Sequence, residues 1–452
     1  MSDLRWSSVL SCHLAAIGAA VGLGSVWRFP YLAGSHGGAV FVVAFALALF
    51  LIAAPLLVAE YLIGRSSRRP PPAAAGIVAV RFGRSMRWNA IGQLGTWTAL
   101  IIMSYYTIIA GWVLAYVWYC ASGQLTALTR AAVAPFFRQF LAQPWAIGFW
   151  HLVYLSLLAV ISACGLTRGV ELTTRVRAPM LLALLLLLIA YALSVGEVGR
   201  GLSFVFALHL SSLSGQTLLA ATGQAFFATG VGMGMMLAYG AYMPDRVSVL
   251  RSALLVCGAI LLVSLLASIL IFPLVFAYGL SPAQGPELVF NVLPIAFAEM
   301  PAGRLIGSLF FLLLLVSALT PSLAGLEPLV AWLQQSRGLS RAGASALACV
   351  LLWLMGLASL FSFNIWAQWH PLAFIAAFHA ANLFDVLDFI SSNLLLTMGA
   401  ALTCLFVGWR LPAAFLDAEL VGETARTRKV VLWLLRYVSS LGIAAVLLTA
   451  LL

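Results

Sequence analysis

The chain has 452 residues, of which 63% are hydrophobic and only 8% are charged. A soluble domain cannot cover its surface with so few charged side chains, so the composition excludes a water-soluble globular protein and indicates an integral membrane protein. The formal net charge of +11 does not indicate a nucleic-acid partner, because the basic residues are spread over loops between apolar segments.

Apolar segments follow one another along the whole chain, and each reaches the roughly 20 residues that a helix needs to cross a bilayer. They lie near 8–32, 40–63, 89–121, 146–165, 178–196, 217–243, 252–279, 304–333, 342–361, 386–409 and 430–451. We therefore expect an all-α membrane protein with about eleven transmembrane helices. Because no long polar linker interrupts the chain, we expect a single membrane domain over 1–452, with helices 1–5 over about 8–196, helices 6–10 over about 217–409 and helix 11 over about 430–451.

The basic residues in the loops indicate an orientation. Loops such as those at 65–87 and 410–429 are rich in arginine, whereas the alternate loops hold few basic residues. Since cytoplasmic loops carry the excess of Lys and Arg, we expect a plasma-membrane protein with a cytoplasmic N-terminus and an external C-terminus. Two amphipathic stretches, 128–142 and 286–300, are too short to span and are expected to form helices in external loops.

Glycines interrupt the first and the sixth apolar segments near their middles. The first contains GAAVGLG (18–24), and the sixth contains GQAFFATGVGMG (223–234). Interrupted segments in corresponding positions of two halves are typical of transporter sites built on inverted repeats. Small residues also allow helices to pack closely, so the glycines alone do not decide between the two interpretations.

Arg28 favours the transporter interpretation, because a charge within an apolar segment is costly and normally has a partner and a function. Candidate partners are Asp385 and Asp388, which lie at the outer start of the tenth segment. Asp388 would form an outer gate with Arg28. The alternative is that both carboxylates are solvated loop residues.

Four motifs together resemble the neurotransmitter:sodium symporter family, especially its bacterial amino-acid members. They are GAAVGLGSVWRFPYLAGSHGG (18–38), GQAFFATGVGMGMMLAYGAYMP (223–244), SALTPSLAGLEP (317–328) and FDVLDF (384–389). The resemblance implies a five-plus-five inverted repeat with helices 1 and 6 unwound at mid-membrane. It also implies a secondary active transporter that works by alternating access in the bacterial inner membrane.

The resemblance further implies a substrate site. The backbone amides of Leu23 and Gly24 would hold a substrate carboxylate at a helix N-terminus, with Ala20 beside them and the Tyr106 hydroxyl on the same carboxylate. Gly22 stands where amine-carrying relatives have an aspartate, which favours an amino acid. The side-chain pocket would be lined by Ile102, Phe227, Gly230, Met233 and Gly325. The two glycines predict a roomy pocket for an apolar, branched or aromatic amino acid, with Phe227 as its lid.

Sodium binding is expected to be reduced. Ser25, Ala228 and Ile260 replace the side-chain oxygen ligands of the family's first sodium site, so this site is expected to be absent. The second site would use the carbonyls of Gly18, Val21 and Ser317 with the hydroxyl of Thr320.

Pro321 replaces a further hydroxyl ligand of the second site. We expect at most one sodium ion, with sodium-independent or proton-coupled transport as the alternative. Arg177 is a candidate fixed charge for this site, although it could also be a snorkelling residue. The chloride position has Phe45 in place of tyrosine, so no chloride is expected.

The inner gate is expected to consist of Trp6 and Tyr242, with Arg5 and Glu327 as a possible charge pair. The family's usual ion pair is replaced by Asp3 and Gln335, which predicts easier inward opening. The six histidines are scattered and no hydrolase, zinc-protease or P-loop motif occurs, so an enzyme is disfavoured. A substrate-binding sensor that does not transport remains an alternative.

Overall fold

The structure is a computed structural model that describes residues 6–283, 288–375, 378–420 and 422–451. These residues form helices joined by turns and short loops, and the described ranges contain no β-strand. The prediction of an all-α protein is confirmed.

The helices follow one another along the chain. Its first half holds α1 (Val9–Ala20), α2 (Gly24–Ser35), α3 (Ala39–Ser67), α4 (Pro71–Arg81), α5 (Met86–Ala121), α6 (Arg130–Leu141), α7 (Pro144–Ala163), α8 (Gly169–Val195) and α9 (Val198–Phe206). The second half holds α10 (Gly215–Thr229), α11 (Met235–Ala241), α12 (Val249–Ala277), α13 (Leu288–Glu299), α14 (Gly303–Arg337), α15 (Arg341–Phe361), α16 (Leu383–Arg410), α17 (Ala413–Glu419) and α18 (Ala425–Thr449). Helices α6 and α13 correspond to the two predicted loop helices, although residues 286 and 287 lie outside the described residues.

Among the described residues, nine helices are long and apolar enough to cross a bilayer, namely α3, α5, α7, α8, α12, α14, α15, α16 and α18. Helices α1 and α2 meet at 50° and form a tenth span if they are counted together. The predicted count of about eleven is therefore not confirmed. The difference lies in the predicted segment 217–243, which is divided into α10 and α11 of 15 and 7 residues. Each is too short to cross a bilayer alone.

The chain leaves helical geometry between α1 and α2. The Val21 N–H donates the last bond of α1 to the Ile17 carbonyl (2.8 Å), and the backbone at Val21 is extended, with φ −81° and ψ 99°. Gly22 lies so close to α14 that a Cβ at this position would stand 2.5 Å from the Pro321 ring. This close approach requires a glycine.

A second interruption separates α10 from α11. Gly230, Gly232 and Gly234 all have positive φ angles of 64°, 88° and 73°, a region that residues with a Cβ rarely adopt. The Gly232 N–H, which no longer has a helical acceptor, donates to the Glu60 carboxylate of α3 (2.7 Å). The three glycines therefore allow the backbone to leave the helix. The buried Glu60 side chain then accepts a hydrogen bond from one of the N–H groups that has lost its helical acceptor.

Packing brings the two interruptions together in the interior. Helix α1 packs against α8, α12 and α14, helix α11 packs against α3, and the first turn of α2 contacts α10. The long helices α5 and α14 also pack against each other. The interrupted segments are thus enclosed by continuous helices.

We expect Gly232→Ala to lower the apparent melting temperature in detergent. The left-handed backbone alone costs a residue with a Cβ about 1–2 kcal/mol, and the added methyl group would collide with the Leu396 carbonyl. Gly258→Ala is the matched control, because its Cβ would meet no atom within 4 Å and alanine favours a helix. Equal melting temperatures for both variants would contradict this account of the second interruption.

Candidate functional site

The two interruptions face each other through direct contacts. The Gln224 side chain of α10 donates to the Gly24 carbonyl in the first turn of α2 (2.7 Å). The Phe227 ring lies 3.2 Å from the place that a Gly24 Cβ would occupy. A residue of α10 therefore lies directly over the start of α2.

The start of α2 is suited to an anion. The Leu23 N–H points at the buried Tyr106 hydroxyl of α5, which accepts its hydrogen bond (3.3 Å). The same hydroxyl would lie 3.0 Å from a Cβ on Gly22. A helix N-terminus presents free N–H groups and a partial positive charge, so a carboxylate can bind between these amides and the phenol.

A small cavity of about 30 Å³ adjoins this helix end. It is lined by six of the predicted substrate residues, namely Ala20, Gly24, Ile102, Tyr106, Phe227 and Met233. A larger cavity of about 380 Å³ lies beyond it and shares Gly24, Tyr106 and Phe227 with it, and it is also lined by Leu23. Seven of the nine predicted substrate residues thus line these two cavities, which share three of their lining residues.

The predicted roomy pocket is not found, because methionines fill the space at the other two predicted residues. A Cβ on Gly325 would lie 2.6 Å from the Met103 sulfur, and a Cβ on Gly230 would overlap the Met235 side chain. Met103 and Met235 line the small cavity, and the two glycines are absent from the described lining. Glycine at these positions makes room for methionine and leaves the cavity small.

Charged residues line the larger cavity. Arg28 lies over the Phe227 ring, with 4.2 Å from its guanidinium carbon to the ring centre, and it interacts electrostatically with Asp388. Asp388 also accepts a hydrogen bond from Ser392 (3.0 Å). Asp385 is engaged differently, since it forms a capping box with Asn382 at the start of α16. Of the two candidate partners, Asp388 is therefore the one that faces Arg28.

Aromatic residues pack together where the sequence predicts the inner gate. Trp6 is 3% exposed, packs on Tyr239 with 5.2 Å between ring centroids, and donates its backbone N–H to the Tyr242 carbonyl (3.2 Å). The Tyr242 hydroxyl donates to the Glu327 carboxylate (2.8 Å). Trp6 and Tyr242 thus lie together, as predicted for inner-gate residues.

Arg341 completes this inner contact and was not predicted. Its guanidinium forms an ion pair with Glu327, with nitrogen–oxygen distances of 2.6 and 2.9 Å. Arg5 and Asp3 lie outside the described residues, and Gln335 is exposed. Glu327 therefore forms a charge pair beside the predicted inner gate, with Arg341 as its partner in the described part of the chain.

The predicted second cation site lies where α1 meets α14. A Cβ on Gly18 would contact the methyl groups of Thr174 (2.9 Å) and Thr320 (3.1 Å). The buried Thr320 hydroxyl has no hydrogen-bond partner among the described residues. Three carbonyls and one hydroxyl supply four oxygens, fewer than the roughly six that a hard cation takes.

The residues at the predicted first cation site offer few side-chain oxygens. Ser25 is buried and its hydroxyl has no partner in the described part of the chain, while Ala228 and Ile260 offer only hydrocarbon. No cluster of three His, Cys, Asp or Glu residues that could hold a metal occurs among the described residues.

Comparison with known proteins identifies the family. The family model described as the sodium:neurotransmitter symporter family matches residues 4–131 and 142–447. The chain belongs to this family. An uncharacterized sodium-dependent transporter of Bacillus subtilis, YhdH, is 32% identical over 448 residues, which cover 98% of this chain and 97% of the relative. An uncharacterized sodium-dependent transporter of Haemophilus influenzae is 30% identical over 413 residues, which cover 90% and 89%.

A solved structure is also similar. The crystal structure of MhsT in complex with L-phenylalanine superposes with a TM-score of 0.89 at 34% identity, and the match covers 99% of each chain. The protein is thus a multi-pass membrane transporter with the fold of this symporter family. The family consists of transporters, and its name implies that its members use sodium.

Three residues of the site were missed by sequence reasoning. Met103 and Met235 resemble ordinary apolar helix residues, and only their distance from two glycines marks them as pocket residues. Arg341 stands in a basic inner loop, where orientation alone accounts for an arginine. The neighbouring Glu327 was a usable signal, because a glutamate inside an apolar helix needs a partner.

We expect Arg341→Met to lower the apparent melting temperature strongly, because Glu327 is buried and would keep an unpaired charge. Breaking a buried pair from one side costs about 3–5 kcal/mol, whereas removing both charges is often nearly neutral. The double variant Glu327→Gln/Arg341→Met is therefore expected to recover most of the loss. Arg200→Met is the control, since its pair with Glu197 is exposed and contributes about 1 kcal/mol or less. Additive losses in the double variant would contradict the buried pair.

Proposed function

We propose that this symporter carries an apolar amino acid across the bacterial inner membrane by alternating access. The observation that supports this most is the Leu23 N–H directed at the Tyr106 hydroxyl, beside a cavity at an interrupted helix. Residues 1–452 act as one transport domain with a five-plus-five inverted repeat, a cytoplasmic N-terminus and an external C-terminus. The two interruptions are the unwound parts of helices 1 and 6 at mid-membrane.

The main-chain amides define the polar end of the substrate. A carboxylate between the Leu23 and Gly24 amides and the Tyr106 phenol would receive donors in a place where lipid offers none. Because Gly22 has no side chain, it brings no negative charge next to the bound carboxylate. An amine without a carboxylate would leave the amides unpaired, which is costly in a buried site. The site therefore favours amino acids over amines.

The apolar end of the substrate lies against Ile102, Phe227 and the methionines. Methionine has three rotatable bonds and adapts to irregular shapes, so Met103 and Met235 can move away from Gly325 and Gly230 when a side chain enters. The cavity of about 30 Å³ would enlarge in this way. We therefore propose a branched or aromatic substrate, and L-phenylalanine in the similar MhsT complex supports this choice.

The cation that accompanies transport is at most one sodium ion. If a sodium ion binds, its place is the second site at Gly18, Val21, Ser317 and Thr320, because the residues of the first site offer few oxygen ligands. Sodium-independent or proton-coupled transport is the alternative. Chloride is not expected to be required, since Phe45 is buried among aromatic rings where tyrosine would offer a hydroxyl.

Two gates close the site in turn. On the outside, Arg28 lies over Phe227 and faces Asp388, and closure would bring the two charges together. On the inside, Trp6 and Tyr242 close the path with Glu327 and Arg341. The larger cavity, which Arg28 and Asp388 line, shares Gly24, Tyr106 and Phe227 with the substrate cavity. A sensor that binds substrate without moving it is the second candidate, because it would need the same pocket.

Binding and uptake by the purified protein test the proposal. We expect L-phenylalanine or L-leucine to raise the apparent melting temperature, and phenethylamine, which lacks the carboxylate, to have no effect. Tyr106→Phe removes a hydrogen bond to a charged group, worth about 1.5–3 kcal/mol, so affinity should fall at least about tenfold. Tyr437→Phe is the control, because this residue is 48% exposed and remote from the site.

Uptake into proteoliposomes separates the two candidates. Labelled amino acid should accumulate or exchange across the bilayer. Binding without any flux would instead support the sensor, and binding of phenethylamine as tight as that of phenylalanine would contradict the carboxylate site.

The methionine-filled pocket gives a size prediction. Gly325→Ala places a methyl group 2.6 Å from the Met103 sulfur, so the methyl group itself takes up space at the pocket and limits where the Met103 side chain can move. We expect phenylalanine to bind at least about tenfold more weakly, and valine to change less, because one methylene of excess size costs about 1–3 kcal/mol. Calorimetric titration of both ligands measures this, with Gly258→Ala as control. Equal losses for both ligands would contradict an adaptable pocket.

A further inference from the structure

Arg177 in α8 is a buried charge that the substrate site and the gates do not use. The residue is 5% exposed, and its Nε and Nη1 atoms have no hydrogen-bond partner in the described ranges. A guanidinium cannot lose its proton in a protein. A buried, unpaired charge is costly and indicates a functional role when it lies inside a membrane protein.

Snorkelling does not account for this residue. A snorkelling side chain keeps its charged head in water, whereas Arg177 is almost completely enclosed. Arg175, two residues earlier, shows the contrast, because its side chain is 49% exposed and pairs with Glu171 (2.7 Å). Of the two arginines, Arg175 reaches the surface and Arg177 points into the protein.

Arg177 lies on the face of α8 that borders the second cation site. Thr174 stands one helical turn earlier on the same face of α8, and its methyl group meets the place of a Gly18 Cβ, as that of Thr320 does. Helical side chains lean towards the N-terminus of their helix, so Arg177 leans back over Thr174. Its electrostatic neighbours are the phenols of Tyr154, Tyr106 and Tyr239. None of these neutral groups balances its charge.

Acceptor oxygens without donors lie where α1 meets α14, beside Thr174. The last four carbonyls of a helix have no intrahelical donor, and in α1 these follow the final bond from Val21 to Ile17. Pro321 has no N–H and therefore leaves the Ser317 carbonyl of α14 without its helical partner. The Thr320 hydroxyl lacks a partner within the described residues. The C-terminal end of α1 also carries a partial negative charge.

The two halves of this arrangement are complementary. The oxygens are too few for a sodium ion, because four remain where about six are wanted. A guanidinium needs no closed shell of ligands, since its five N–H groups donate to separate acceptors in a fork. Arg177 supplies donors that lack acceptors, and the junction of α1 with α14 supplies acceptors that lack donors.

We propose that the Arg177 guanidinium is the resident cation of the second site and takes the place of sodium there. The charge that would otherwise enter as a transported ion is then a fixed part of α8. The wild-type protein would hold α1 against α14 and α8 without sodium, and would transport without a sodium requirement. The statement about transport rests on the proposed function, whereas the statement about sodium binding concerns the purified protein alone.

The test compares melting temperatures of the substrate-free protein in sodium chloride and in choline chloride at equal ionic strength. An ion that binds only the folded state raises the apparent stability of the protein. We expect the wild type and Arg177→Lys to show no sodium-specific rise. Arg177→Met should gain a rise, because the acceptors are freed, and Arg177→Met/Thr320→Val should lose it again. Arg138→Met, at an exposed external position, removes the same charge and should match the wild type.

A sodium-specific rise in the wild type would overturn the proposal, and this measurement needs no variant to fold. A folded Arg177→Met protein that gains no sodium response would also overturn it. Uptake of apolar amino acid into proteoliposomes then tests the consequence for transport. We expect wild-type uptake to change less than twofold when choline replaces sodium, and a tenfold fall would overturn the proposal. Sodium responses as expected with no uptake of any amino acid would contradict the proposed function and leave the role of Arg177 supported.

Discussion

The structure depends on how backbone hydrogen-bonding groups are satisfied where two helices are interrupted. In a bilayer each free N–H or carbonyl is costly, so an interruption persists only where the protein supplies partners. Each partner comes from a different helix. The Tyr106 hydroxyl of α5 accepts from Leu23, Gln224 of α10 donates to Gly24, and Glu60 of α3 accepts from Gly232.

Close backbone approach explains why the pocket has its shape. Gly22 allows α14 to bring the Pro321 ring against the interruption of α1, and Gly325 of the same helix allows Met103 to enter the pocket. Both glycines therefore make room for a neighbouring side chain. The result is a small cavity bounded by adaptable methionines, in which size is set by side-chain conformation more than by the backbone.

The sequence predicted those parts of the site that depend on local pattern. The glycines at 18–24 follow from local pattern, whereas Tyr106 and Phe227 were expected from the family resemblance. The number of helices was predicted less accurately, because α10 and α11 are one apolar segment in the sequence but two short helices in three dimensions. Met103, Met235 and Arg341 depend on contacts between helices, and neither hydrophobic period nor loop charge reports such contacts. The prediction of a roomy pocket was wrong for the same reason, because Met103 and Met235 fill the space beside the two glycines.

The contacts around Glu327 suggest how the proposed inner gate would open in an all-or-none step. Glu327 is 3% exposed, and its partners lie on different elements, Tyr242 after α11 and Arg341 at the start of α15. If α11 moves away, the carboxylate loses one partner while still enclosed, which is unfavourable unless water enters. Once water enters, the ion pair with Arg341 weakens, because charges attract far less strongly in a high dielectric. Hydration and loss of the pair therefore reinforce each other, so the half-open state is less stable than either the dry, paired state or the wet, open one.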